Sequence, residues 1–239
     1  MALTVDVKDG IFTFSGRSLN PTKEKNELLA PFQKMVRNYG LRLFLLPDPD
    51  SQNKIDKNIG CARFVRNNYL DARIKYYQEQ KQTLSVAQYK KDHLPLLKKE
   101  NVWLNQADKF ALEAAVEFVD VAYKNFFHKR TSFPKFSSVR NPNGNRYTTK
   151  FTNHNIRFVL KDSLPYIQIP KVGLVRFVLP KSTAFRDLCP LGTRILKATI
   201  SRTGRRYDIS LQMETVVDLV KPANIHKSAT IRTAVWRAV

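Results

Sequence analysis

Residues 126–136 combine basic and aromatic side chains more densely than an ordinary loop does. The segment contains Phe126, Phe127, His128, Lys129, Arg130, Phe133, Lys135 and Phe136. Cationic side chains bind phosphate groups, and aromatic faces stack on nucleobases. Contact with a nucleic acid is therefore one interpretation, and a solvated basic loop at the end of a buried helix is the other. We expect Phe126, Phe127 and Phe133 to belong to the core rather than to stack on bases.

A helix over residues 107–128 is predicted to present this basic loop. Its apolar residues recur at three- and four-residue steps, which places them on one helical face: Leu112, Ala115, Val116, Val119, Ala122, Tyr123 and Phe126. Asp108 is suited to cap the start of the helix, and alanine and glutamate fill its interior.

The charge of the chain predicts a polyanionic partner. The 239 residues include 41 Lys and Arg against 20 Asp and Glu, a net charge of +21. Residues 129–207 alone carry 17 basic and two acidic side chains, Asp162 and Asp187. These charges lie along strand-like segments and not on one helical face, so nucleic acid is favoured over an anionic membrane surface.

The residues predicted to bind nucleic acid fall into three groups. The first is the polar side of a helix over 51–80, and the second surrounds the basic loop. The third lies in the strand-rich region and its turns, where phosphate contacts are expected. The full set is Arg63, Arg66, Asn67, Lys75, Tyr76, Lys124, His128, Lys129, Arg130, Lys135, Arg140, Arg146, Lys150, Lys171, Arg202, Arg205 and Arg206. The lone helical arginines also fit a solvated surface.

The sequence predicts no catalytic residue, no metal site and no cofactor. Cys61 and Cys189 are too far apart for a CxxC motif, and His128 has no ligand-type neighbour at metal-binding spacing. We expect Cys61 to be a small buried residue at a helix bend. The acids of the central helix are spaced for solvation or for i,i+4 ion pairs, not for catalysis: Asp108, Glu113, Glu117 and Asp120.

The N-terminal half is predicted to be mainly helical. Residues 1–20 fit a hairpin around Asp9-Gly10, residues 21–38 fit a helix ended by Gly40, and residues 41–46 fit a core strand. The helix over 51–80 has a kink or break at Gly60-Cys61 in this interpretation. A short helix over 85–92 and a charged connection over 93–103 follow.

After Pro134 the hydrophobic pattern changes to alternation, which predicts antiparallel strands. Strands are expected around Phe151 and at 156–160, 166–169, 173–178, 195–200 and 207–211, with turns at Asn143-Gly144, 161–163, 172–173 and 203–205. The predicted fold class is α+β, a small antiparallel β-barrel split by an inserted helical domain. Its expected divisions are 1–47, 48–128, 129–215 and a tail, 216–239.

Six segments, in order, resemble the TnpB family of RNA-guided nucleases from small bacterial insertion sequences. That family is regarded as ancestral to type V CRISPR effectors. The segments are LRLFLLP, GCARFVRNNYLDAR, ALEAAVEFVDVAYKNFF, FPKF, IQIPKVGLVRF and KATISRTGRRYDISLQME, within residues 41–214. Trp103-Leu104 also fits the family pattern.

The resemblance implies that the split barrel is a wedge domain and that the inserted helices are a recognition domain. Its implied partners are a guide RNA and double-stranded target DNA, and a homodimer or a separate nuclease chain is a further possibility. In the family a RuvC nuclease domain with three carboxylates and a zinc motif follows the wedge. In this sequence no Asp or Glu follows Asp218, so we expect a truncated or remodelled start of that region and no intrinsic nuclease activity.

Three functions remain open at this point. The first is RNA-guided DNA recognition without cleavage, and the second is a nuclease fragment that acts with a partner chain. The third is a simple helix-turn-helix DNA-binding protein using the 51–80 helices, although no compact three-helix pattern with a short turn is evident. The N-terminus has no apolar leader and no segment approaches about 20 apolar residues, so a bacterial cytoplasmic, nucleoid-associated location is expected.

Overall fold

The computed structural model describes residues 3–8, 11–16, 18, 20–141, 144–181, 183–190 and 192–218. The predicted turn residues Asp9, Gly10 and Asn143 lie outside these ranges, as does the tail after Asp218. The described residues form two compact units, one from residues up to 37 with 216–218 and one from residues between 38 and 215.

The first unit contains the predicted N-terminal hairpin and a short helix. Strands β1 (Thr4–Lys8) and β2 (Ile11–Ser15) pair antiparallel, which confirms the hairpin. Helix α1 covers Pro21–Leu29 and continues as one 3-10 turn, Ala30–Phe32.

The helix predicted over 21–38 is wrong in its second half. Gln33 adopts a left-handed conformation with φ of 55°, and strand β3 (Lys34–Leu46) begins at the next residue. The Asn26 side chain accepts a hydrogen bond from the Val36 amide at 2.7 Å, which satisfies a donor that a helix would have used. Gly40 therefore lies inside β3 and does not end a helix.

Helix α2 (Pro49–Gln80) begins and ends with well-formed caps. The Asp48 carboxylate accepts from the Ser51 amide at 2.7 Å, and Lys81 closes the helix in a left-handed conformation. The predicted break at Gly60-Cys61 is wrong, because α2 is continuous there. Cys61 is buried within the helix, so packing on this side offsets the low helix propensity of Gly60.

The residues between α2 and the central helix are more helical than predicted. Helix α3 (Val86–Gln88) runs through a π-helical segment, Tyr89–His93, into helix α4 (Leu94–Glu100), and a 3-10 segment covers Val102–Gln106. Helix α5 (Lys109–Phe127) is the predicted central helix, and Asp108 is its N-cap. In the described part of the chain, no helix is long and apolar enough to cross a membrane.

All strands that follow α5 in the sequence belong, with β3, to one seven-stranded sheet. These are β4 (Arg146–Lys150), β5 (Arg157–Lys161), β6 (Leu164–Ile169), β7 (Gly173–Val178), β8 (Arg194–Thr203) and β9 (Arg206–Asp218). The strand order is β4-β8-β9-β3-β7-β6-β5, and helices α2–α5 lie in the sequence between β3 and β4. The α+β class is thus confirmed. The domain boundaries expected at residues 47, 128 and 215 stay a prediction.

The two edge strands of the sheet are joined by a short connection, which forces the sheet to curl. From Lys150 to Arg157 the chain can span at most about 25 Å, whereas seven flat strands are about 29 Å across. A turn shortens the connection further, because the Asn155 amide bonds to the Thr152 carbonyl. Pairing of β4 with β5, which would close a barrel, is not found among the described strands.

Buried polar contacts of Asp108 join α5 to α2 and to β4. Its carboxylate accepts from the Phe110 amide and from the Thr149 hydroxyl, and its own amide donates to the Asn58 side chain at 2.9 Å. Asp108 and Thr149 are 5% and 0% exposed, so these groups depend on one another for hydrogen bonds. The start of α5 is thereby fixed against two other elements.

Replacing Asp108 by alanine should lower the free energy of unfolding by roughly 2–4 kcal/mol, because a cap is lost and the buried Thr149 hydroxyl loses its acceptor. Urea unfolding followed by circular dichroism measures this loss. The matched control is Asp48→Ala, which removes an exposed cap and should cost about 1 kcal/mol. Equal losses for the two variants would contradict the role given to the buried contacts.

Candidate nucleic-acid interface

The basic loop leaves α5 through a tight turn and is then fixed to α2. Lys129 has φ of 56°, and the Arg130 amide bonds to the Asn125 carbonyl at 2.9 Å. Further along, Asn67 of α2 bonds both the amide and the carbonyl of Ser137, at 2.8 and 2.9 Å. Both polar atoms of the Asn67 side chain thus hold the loop, so Asn67 supports the interface. Its predicted contact with nucleic acid stays a prediction.

The prediction that the loop phenylalanines belong to the core is wrong for two of them. Phe127 is 70% exposed and Phe133 is 45% exposed, while Phe126 is half-buried. The rings instead pack on one another at the surface, with Phe126 and Phe133 edge to face at 5.4 Å. Burial of only one ring edge each is enough to hold the cluster together, and the outer faces stay accessible.

Five of the predicted binding residues are already held in ion pairs. Lys75 binds Asp71, Lys124 binds Asp120, Lys150 binds Glu117, Arg202 binds Asp56 and Arg206 binds Asp208. Arg206 also lies over the Phe44 ring, 3.7 Å from its centre. These cations have intramolecular partners and are weaker candidates for phosphate contacts than unpaired cations are.

The other basic candidates have no carboxylate within ion-pair distance in the described part of the chain. These are Arg63, Arg66, Lys129, Arg130, Lys135, Arg140, Arg146, Lys171 and Arg205. Most of them are exposed, and Lys171 occupies a turn with φ of 62°. His128 is exposed at the end of α5, whereas Tyr76 is half-buried and packs against the core.

Three predicted arginines converge on one groove, where α2, α5 and β4 meet. Arg63 and Arg66 are one turn apart on α2, and Arg146 begins β4. The Arg66 guanidinium lies 4.5 Å from the centre of the Phe118 ring, and that of Arg146 lies 5.9 Å from the same ring. Arg63 donates to the Asn145 side chain at 3.2 Å.

Lys197 is a further cation in this groove that sequence reasoning missed. It lies on β8 opposite Lys150 of β4, and it lines the groove with the three arginines. The strand pattern of 195–200 identifies Lys197 as a solvent-facing residue, but only the β4–β8 register places it opposite Lys150 and at the groove. The missing signal was therefore the pairing of β4, whose sequence RYTTK contains too few apolar residues to stand out.

The arginines of the groove repel one another. Partial burial, followed by the positive charge of Arg146, lowers the pKa of Arg66 from its usual range. Arg66 still carries its proton at neutral pH, so its partly buried charge lowers the stability of the folded protein. An anion bound in the groove would relieve this cost.

The described part of the chain shows no group of three or more metal-ligating side chains. Cys61 is buried, and burial raises the pKa of its thiol, so it is a poor nucleophile. The chemistry that the described site offers is therefore that of binding anions and aromatic bases.

Glu117 should make the fold sensitive to acid, because Lys90 and Lys150 both bind its carboxylate at 2.6 and 2.7 Å. Partial burial alone would raise the pKa of Glu117, but the two lysines outweigh it, and the pKa is lowered from its usual 4.5. The stabilisation is present above the pKa of the unfolded chain and is lost as pH falls through the lower folded-state pKa.

Glu117→Gln should therefore flatten the fall in stability below pH 4.5, measured by urea unfolding across pH 3–7. Glu100→Gln is the matched control, since Glu100 is exposed and has no ion pair in the described residues. An unchanged acid profile in Glu117→Gln would contradict the ion-pair argument.

Comparison with known proteins relates the chain to transposon-encoded nucleases. Residues 35–82 match a family model of the OrfB/IS605 type that is described as a helix-turn-helix domain. In the structure these residues form most of β3 and all of α2, which is one continuous helix without a turn.

Two curated proteins are similar over most of this chain. InsQ of Escherichia coli, which is designated an RNA-guided DNA endonuclease, is 25% identical over 206 residues. A protein of Streptomyces pristinaespiralis with the same designation is 24% identical over 195 residues. The matches cover 82% and 80% of this chain but 44% of each relative, so the chain spans less than half the length of these proteins. They confirm the resemblance that the motifs indicate, which is to proteins designated as RNA-guided DNA endonucleases.

Proposed function

We propose that this chain is the nucleic-acid-recognition part of a TnpB-type system. In this proposal it binds a structured guide RNA and the duplex that the guide forms with target DNA, and it does not cut DNA by itself. Sequence specificity comes from base pairing, and the protein holds the backbone of an A-form duplex.

The separation of paired from unpaired cations carries this proposal. In the helical region the acids neutralise nearby lysines, as in the pairs Lys54–Asp50 and Lys109–Glu113. The region from Lys129 to Tyr207 has 17 basic side chains and two acids. Seven of the predicted binding residues in this region have no carboxylate within ion-pair distance among the described residues: Lys129, Arg130, Lys135, Arg140, Arg146, Lys171 and Arg205. Unpaired cations are destabilising to a folded protein unless a polyanion neutralises them.

The exposed aromatic cluster gives this surface a second binding mode. Phe127, Phe133 and Tyr77 are exposed and line a groove of about 320 Å³. Base stacking on aromatic faces is tolerant of sequence, as a protein that binds many guides requires. Single-stranded parts of the guide RNA fit this groove, while duplex parts fit the basic strands and turns.

The acids of the described residues favour binding without cleavage. Cleavage by two metal ions needs several carboxylates that converge on one point. Asp56, Asp120, Glu117 and Asp208 are each bound to a basic side chain, and the exposed Asp162 is in a hairpin turn between β5 and β6.

Two observations favour the alternative functions, a nuclease fragment and a helix-turn-helix DNA-binding protein. The chain covers 44% of its relatives, which suits a nuclease that is completed by a further chain or domain. The helix-turn-helix match over 35–82 suits direct DNA binding. In a DNA-binding protein of that kind a helix enters the major groove. Helix α2 contains three cations that could contact DNA in this way, Lys57, Arg63 and Arg66.

Replacing Lys129, Arg130 and Lys135 together by alanine should weaken binding of the guide RNA and reduce its salt dependence. If the three cations each contact a phosphate, the slope of log K against log salt should fall by about two to three. Fluorescence anisotropy with the labelled RNA between 50 and 300 mM KCl measures both quantities.

The matched control replaces three lysines that already have carboxylate partners and are not predicted to bind nucleic acid, Lys23, Lys54 and Lys109. It removes the same number of charges, so it separates local contact from net charge. Equal effects of the two triple variants would contradict the role given to the basic loop. Tighter, salt-dependent binding to unrelated duplex DNA than to the guide RNA would favour the helix-turn-helix function instead.

Purified chain incubated with guide RNA, target DNA and Mg²⁺ should leave the DNA bound and intact on a denaturing gel. The reason is the engagement of its described carboxylates in ion pairs. Cuts that depend on Mg²⁺, follow the protein through purification and disappear with one Asp→Ala change would overturn this part of the proposal.

A further inference from the structure

The arginine groove encloses a pocket large enough for one nucleotide. Its volume is about 320 Å³, and it lies between α2, α5, the basic loop and the edge strand β4. Pockets of about 300 Å³ and above hold small organic ligands. A bare phosphate would leave most of this volume empty.

Small residues on the two helices create the space. Ala62 of α2 and Ala111, Ala114 and Ala115 of α5 form the apolar side of the pocket. The three alanines of α5 recur at three- and four-residue steps with Phe118, so they share one helical face. Any larger side chain on this face would fill the pocket.

A close backbone contact completes the wall on the loop side. A Cβ atom on Gly144 would lie 2.5 Å from the Ser137 hydroxyl and 3.0 Å from the Ser138 carbonyl oxygen. Glycine is therefore required at this position for the loop to approach so closely. Because Asn67 also holds Ser137, this wall is fixed in place before any ligand binds.

The pocket is cationic and contains no carboxylate among its described lining residues. Arg63, Arg66, Arg146 and Lys197 surround it, and the only aromatic ring beside them on the helices is Phe118. Arginines of like charge around one cavity destabilise each other unless an anion lies between them. The charge of the pocket thus selects an anionic ligand.

Two buried hydroxyl groups in the pocket lack a hydrogen-bond partner. Ser137 and Tyr147 are 7% and 2% exposed, both line the pocket, and neither Ser137 Oγ nor the Tyr147 hydroxyl has a partner among the described residues. Burial raises the pKa of Tyr147, so its hydroxyl keeps its proton and can donate. Buried polar groups are normally satisfied. Both hydroxyl oxygens lie below the surface of the pocket, so a phosphate or sugar oxygen accepts from them only when the side chains rotate towards it.

We propose that this pocket binds one nucleotide of the bound nucleic acid, turned out of its base stack. The phosphate lies between Arg66 and Arg146, and the Ser137 and Tyr147 hydroxyls bond its oxygens or those of the sugar. The sugar and base lie along the alanine face of α5, where the plane of an arginine can stack on the base. This inference deepens the proposed function and rests on it.

Methyl NMR on the whole chain tests the pocket directly, because four alanine methyl groups line it. With ¹³C-methyl alanine labels, each of the four nucleoside 5′-monophosphates is titrated, together with its 2′-deoxy form, inorganic phosphate and the free nucleoside. At least one nucleotide should shift the methyl signals of Ala62, Ala111, Ala114 and Ala115, and should leave that of Ala122 unchanged. A stronger response to the ribonucleotide assigns the pocket to RNA, and a stronger response to the deoxynucleotide assigns it to DNA.

A pocket-filling variant supplies the matched control. Ala114→Leu should raise the apparent Kd for the nucleotide at least tenfold without changing any charge. Ala122→Leu on the same helix lies outside the pocket lining and should leave the Kd unchanged. Urea unfolding of both variants confirms that they fold.

Several outcomes would overturn the inference. These are equal shifts with inorganic phosphate and with nucleotides, no shift with any probe, and equal Kd values for Ala114→Leu and the unsubstituted chain. Anisotropy with the guide RNA separates this failure from failure of the proposed function. If the chain binds the RNA with a steep salt dependence but no nucleotide enters the pocket, only the pocket inference is wrong.

Discussion

The buried carboxylate of Asp108 is the contact on which the geometry of the interface depends. It caps α5, accepts the Thr149 hydroxyl of β4 and, through its amide, reaches Asn58 of α2. The three elements that surround the arginine groove are therefore fixed at one point. An unpaired buried charge would be costly, so the carboxylate and its partners hold each other in place. The direction of α5, and with it the position of the basic loop, follows from this junction.

A second constraint is the unequal distribution of acids. The helices carry enough Asp and Glu to neutralise many of their own lysines, and one of these acids, Glu117, also reaches Lys150 of β4. Between β4 and β9 the sequence has only two acids, Asp162 and Asp187, and the arginines that line the groove lie beside one another. Like charges held close together lower the stability of the folded chain, so stability alone does not explain this arrangement. The arrangement is understandable if the folded chain is normally neutralised by an external polyanion.

The sequence predicted the helices, the later strands and the α+β class because their hydrophobic periods are regular. It failed where a single hydrogen bond or a turn overrides the pattern, as at Gln33, where the left-handed turn replaces the second half of a helix with β3. The strand expected around Phe151 lies too late in the sequence compared with β4, because the buried positions of β4 include Thr149, which is not apolar. For the interface, residue types pointed to cations in general, but pairing decides which of them are free. Lys75 and Lys150 could not be told from Arg66 and Arg146 without the carboxylates that face them.

The insertion of the helices between β3 and β4 also has a consequence for how the chain folds. Strand β3 pairs with β7 and neighbours β9, so Leu45 meets Phe177 across more than 130 residues of sequence. Helices α2–α5 make local contacts and can form early, whereas the sheet must wait for its most distant strands. During synthesis β3 therefore has unpaired edges until its two neighbours, β7 and β9, have emerged. Unpaired strand edges attract other chains, so the time spent in this partly assembled state sets how readily the protein associates wrongly before it is complete.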